Sequence, residues 1–176
     1  MEDVIYTPPL ESIDYYGYPL VAGTFRVGEQ LYVMVFKEIT SHADMRSKSY
    51  DINVPEFFFP PNGMVEIQFD AISDLTGDNF GRFQHVEVKD TNPVALLRVV
   101  TLLTQHYTQR KPGGYLFYAA VSYLDAGRHT DLKLVYDRML GFAQRKKNRP
   151  AKSILPDGWR AYNNLSTDGR GYAIIC

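Results

Sequence analysis

The stretch Leu134-Val-Tyr-Asp-Arg-Met-Leu-Gly-Phe142 decides the fold once its surroundings are added. Upstream, residues 92–110 carry apolar side chains at helical spacing, and residues 115–121 form an almost unbroken apolar run of strand length. Downstream come a basic run and two short segments, residues 159–164 and 172–175, with strand character. A helix, a buried strand, a second helix over residues 131–142 and two closing strands make up the back half of an α/β arrangement. Thr130 is placed to cap the second helix, with Asp131 at its positive end. Leu132, Val135, Met139 and Phe142 mark the expected core face of that helix.

The front half reads as strands. Residues 20–27 and 30–39 are strand-like and separated by Gly28-Glu29, a pair that suits a type II′ hairpin turn. Residues 1–17 are rich in Pro and Tyr and are expected to be irregular, and residues 41–49 read as a polar break. Residues 50–59 read as a further strand, placed at an edge or broken by Pro55. Pro60-Pro61-Asn62-Gly63 is a turn. Residues 64–73 alternate, with Val65, Ile67, Phe69 and Ala71 opposed to Glu66, Gln68 and Asp70, as in a half-buried strand. Residues 75–81 read as a turn and residues 83–88 as a short strand. Asp90-Thr91-Asn92-Pro93 then opens the first helix, with a capping side chain and Pro at the first helical position. Its buried side is expected to run through Val94, Leu97, Val100, Thr101 and Leu103. The fold class that follows is α+β: a mostly antiparallel sheet, one β-α-β crossover through the residue 92–110 helix, and a second helix. Residues 1–176 are expected to form one domain, with a β-rich half at 18–88 and an α/β half at 89–176.

Composition narrows the function classes. Apolar residues at 45% and charged residues at 22% are those of an ordinary globular chain. The net charge of −1 speaks against indiscriminate nucleic-acid binding by the whole domain. The single Cys, Cys176, permits no internal disulfide and fits a reducing compartment. The acidic opening Met1-Glu-Asp does not resemble a signal peptide, so a cytoplasmic setting is expected.

The segment 83–176, through Tyr136 and Gly141-Phe142, resembles the second half of the GNAT N-acetyltransferase fold. In that family the second helix often carries Tyr shortly before Gly-Phe. The resemblance implies acetyl-coenzyme A as cofactor and Tyr136 as the general acid that protonates the departing thiolate. The overall order also resembles small proteins of tailed bacteriophages that have no assigned activity, on Tyr118-Ala119-Ala120, Arg128, Leu134 and Tyr136. Where the acetyltransferases carry a glycine-rich pyrophosphate loop, this chain has Lys89-Asp-Thr-Asn-Pro-Val-Ala95. It offers no Gly there. Asp90 repels phosphate, and Pro93 has no backbone N–H.

Other chemistry is sparse. His42, His85, His106 and His129 show no metal-ligand spacing, and surface or hydrogen-bonded histidine is the commoner role for each. Asp70, Asp74 and Asp78 read more simply as turn-forming acids than as a carboxylate site. Arg145, Lys146, Lys147, Arg149 and Lys152 form the one dense basic run. It reads first as a solvated helix end and second as a contact for nucleic acid or an acidic partner, with Trp159 and Tyr162 near enough in sequence to stack on bases. The leading expectation is a non-enzymatic protein-interaction module on an acetyltransferase-like scaffold, a bacteriophage accessory protein of the host cytoplasm. It needs no cofactor and no metal, and it takes a protein partner through the Tyr-rich sheet face or the Tyr6 to Tyr18 segment. The alternatives are a divergent N-acetyltransferase using Tyr136, and a nucleic-acid-binding accessory protein using residues 145–152.

Overall fold

The computed structural model describes residues 10–15, 18–48, 50, 57–72, 93–119, 132–142 and 153–176. In chain order these form β1 (Glu11–Tyr15), β2 (Tyr18–Val27), β3 (Gln30–Ile39), α1 (His42–Ser47), β4 (Met64–Ile72), α2 (Pro93–Arg110), β5 (Gly114–Tyr118), α3 (Leu132–Met139), β6 (Arg160–Tyr162) and β7 (Gly171–Ile175). The strands follow the order β1-β2-β3-β4-β5-β7-β6 in a mostly antiparallel sheet. The fold is α+β. The strand expected at residues 83–88 lies outside the described residues, and with it the crossover to β5. The chain divides into two compact units, residues 1–37 with 67–111 and residues 38–66 with 112–176.

In the first unit, β2 and β3 form the expected hairpin, antiparallel from Val21↔Phe36 to Val27↔Gln30. Gly28 has φ +60 and Glu29 does not share the positive φ, which fits a II′ turn rather than I′. Leu31 through Phe36 are all buried, so β3 is covered on both faces. Leu20, Ala22, Leu31, Val33 and Val35 make a core cluster on one face. On the other, Phe25, Tyr32 and Phe69 stack with ring centroids 5.2–5.9 Å apart. A Cβ on Gly23 would lie 2.9 Å from Leu102 Cδ2, so that missing side chain lets α2 press onto β2.

Two expectations for this unit are corrected. Residues 11–15 are not irregular: β1 pairs with β2 from Glu11↔Ala22 to Tyr15↔Tyr18. A five-residue edge strand needs only backbone pairing on one side, and its composition says little. The buried face of α2 also differs. It runs through Ala95, Leu102, Leu103 and His106, whereas Val94 and Leu97 are exposed and Thr101 is too. The helix is apolar around much of its circumference, so counting apolar residues cannot orient it. Thr101, Thr104 and Thr108 stand on its exposed side and donate to the carbonyls four residues back.

In the second unit the core gathers Ile39, Met45, Tyr50, Phe57, Met64, Leu116, Leu165 and Ala173. The expected polar break at 41–49 contains α1. Ser41 Oγ accepts from Asp44 N at 3.1 Å and Asp44 Oδ2 accepts from Thr40 N at 3.1 Å, a reciprocal cap of the helix N-terminus. Burial of Met45 is what makes six residues sufficient. Phe57 to Pro60 form no strand, and residues 51–56 of the expected strand, Pro55 among them, lie outside the described residues. The opening of β4 is not half-buried: Met64, Val65, Glu66 and Ile67 are all buried, residues of both strand faces alike. The buried Glu66 carboxylate bonds the Tyr50 hydroxyl, and burial first, then the Glu66 charge, drives that phenol far above its usual range. Gly113 and Gly114 admit close contact: a Cβ on Gly113 would lie 2.2 Å from Pro60 Cβ, and one on Gly114 would lie 2.4 Å from the carbonyl oxygen of Ile174. The closing strands take the expected places. β7 pairs with β5 from Gly114↔Ile175 to Tyr118↔Gly171, and β6 pairs with β7.

Candidate functional site

The residues that bear the acetyltransferase resemblance lie on α3 (Tyr136) and just past its end (Gly141-Phe142), in the second unit. Its inner side carries an aromatic cluster. Phe117 and Tyr172 face each other across β5 and β7 and stack at 5.3 Å, 5° from parallel. Tyr136 meets both edge-on, at 5.4 Å from Phe117 and 5.8 Å from Tyr172. These are the offset geometries that aromatic quadrupoles favour. Tyr172 Oη donates to Asp137 Oδ1 at 2.7 Å and lies 3.2 Å from the carbonyl oxygen of Lys133. Lys133 Nζ pairs with Asp137 Oδ2 at 3.3 Å and sits 5.6 Å above the Tyr172 ring. Charge, hydrogen bond and ring contacts thus tie α3 to β7.

Burial pushes the Tyr136 phenol up to about 12. At neutral pH it is protonated but holds its proton more tightly than free tyrosine. Its ring packs within the α3–β5–β7 cluster.

The Gly141-Phe142 pair has a backbone cause. Phe142 N donates to Asp137 O at 2.8 Å and Gly141 N to Arg138 O at 3.4 Å, with Gly141 at φ +85. This is a Schellman cap, which selects glycine at the residue that turns left-handed. Tyr five residues before Gly-Phe is therefore accounted for by a packed helix that stops. Phe142 is not on the core face: it is 38% exposed, as Leu134 is at 51%. Met139 is half-buried. The side chains of Leu132 and Val135 lie outside the described residues, as do Thr130 and Asp131. Ile154, 49% exposed, is held to the end of α3 by its N–H on Met139 O at 2.9 Å.

A second polar cluster escaped the sequence reading. Ser166 Oγ accepts from Arg170 N at 3.0 Å and Gly171 N at 2.9 Å and donates to Asp168. Tyr118 Oη also donates to Asp168, and Arg170 Nε donates to Ala119 O. This network builds the entry into β7, with Asn164 at φ 59 and Gly169 at φ 73 making the tight bends. Ser-Thr-Asp-Gly at 166–169 was the available signal, a turn composition.

Arg145, Lys146, Lys147, Arg149 and Lys152 lie outside the described residues, as do Lys89 to Asn92, Arg128, His85, His129, Asp74 and Asp78. The side chain of Asp70 does too. Pro93 opens α2 and offers no N–H to a phosphate. Of the rings expected to stack on bases, both half-buried, Trp159 lies 6.4 Å from Tyr115 and Tyr162 meets Phe57 edge-on at 5.5 Å. His42 is exposed against Phe59, and His106 is buried. Among the described residues no group of three or more His, Cys, Asp or Glu could hold a metal ion. Among them, too, no helix is long and apolar enough to cross a membrane.

Comparison with protein-family models finds no match, and neither does comparison with curated proteins or with solved structures.

Proposed function

We propose that the chain is a non-enzymatic protein-interaction module on an acetyltransferase-like scaffold, a bacteriophage accessory protein of the host cytoplasm that docks its protein partner on the outer side of α3. One observation carries the reading: Leu134, Phe142 and Ile154 expose large apolar side chains along and just beyond a helix whose inner side is fixed to the sheet. Apolar side chains held outward on a rigid support are the material of an interface centre. The inner side supports the same reading, since Tyr136 packs edge-on against two rings and its phenol resists giving up a proton.

The test is co-purification of the tagged protein from bacterial lysate, compared with Leu134→Asp, Phe142→Asp and Ile154→Asp. A partner retained by the wild type and lost in all three, with circular dichroism unchanged, supports the reading. Equal capture by wild type and variants overturns the docking surface. Acetyl-coenzyme A binding at micromolar affinity, with turnover that falls in Tyr136→Phe, replaces it with the acetyltransferase reading.

A further inference from the structure

We draw no further inference here: the strongest candidate, the exposed apolar pair Val94 and Leu97 on α2, carries nothing because nothing in the structure shows what covers it.

Discussion

The imidazole of His106 lies flat on the ring of Phe36, centroids 4.1 Å apart and 8° from parallel, at a buried position on α2. Burial, assisted by the Arg110 charge, lowers its pKa to about 4. An unfolded histidine titrates near 6.5, so between about pH 6.5 and 4 the unfolded chain takes up a proton that the folded one refuses. Stability is therefore lost as pH falls through that window, and His106 alone should account for on the order of 2–3 kcal/mol by its lower end. His106→Phe should keep the stack and remove this part of the acid dependence. Urea unfolding of both proteins at pH 7 and pH 4.5 checks it. Equal losses in the two proteins would show that His106 is not the group responsible.

The glycines give a graded test of packing. At Gly114 an added Cβ meets the backbone carbonyl of Ile174, which cannot move without breaking the β5–β7 ladder. At Gly23 it meets the ends of Leu10 and Leu102, which can rotate. At Gly28 it meets nothing, and only the positive φ opposes it. Gly114→Ala should cost most, at or above the ~3 kcal/mol end of the overpacking range. Gly23→Ala should fall within about 1–3 kcal/mol, and Gly28→Ala near 1 kcal/mol. Chemical denaturation that ranked Gly28 above Gly114 would contradict the close approach of β7 to Gly114.

What the sequence made legible was what local chemistry dictates. Gly28 announced the hairpin because its backbone conformation is one that side chains rarely adopt, and Pro93 announced the start of α2 because the first helical turn needs no N–H there. Helix α1 was missed because six residues carry too little periodicity, although Ser41 and Asp44 held a readable capping pair. The burial of His106 and Glu66 was not legible, since a polar side chain counts against burial until its neighbours are known. At the candidate site, Tyr136 could be placed on a helix from its surroundings. Its contact with Tyr172 could not be foreseen, because the bond from Tyr172 to Asp137 joins residues 35 apart in sequence.

Cap and surface separate at the end of α3. Gly141 sits at φ +85, so Gly141→Ala should cost roughly 1 kcal/mol and Gly141→Asn less, since Asn tolerates the left-handed conformation better. Phe142→Ala should cost well below the about 3–5 kcal/mol of a fully buried Phe, because the ring is 38% exposed. Thermal melts of the three variants give the comparison. A large loss in Phe142→Ala would mean that the ring is part of the core, and the proposed docking surface would lose its centre.

Tyr136 and Tyr172 differ in what their hydroxyls do, and this separates packing from catalysis. Tyr172→Phe keeps the stack on Phe117 but removes the bond to the Asp137 carboxylate, a charge-assisted bond worth about 1.5–3 kcal/mol. Tyr136→Phe keeps both edge-on ring contacts, and its loss should stay below about 1 kcal/mol. Tyr136→Ala removes the ring itself from the cluster and should cost about 3–5 kcal/mol. Equilibrium unfolding of the three variants, with acetyl-coenzyme A turnover measured alongside, distinguishes the two roles. A packing role predicts that Tyr136→Ala is the most destabilised, Tyr172→Phe the next and Tyr136→Phe the least, with no turnover in any protein. A general acid would leave Tyr136→Phe stable and show its effect in turnover alone, because proton donation lowers the barrier without holding the fold together.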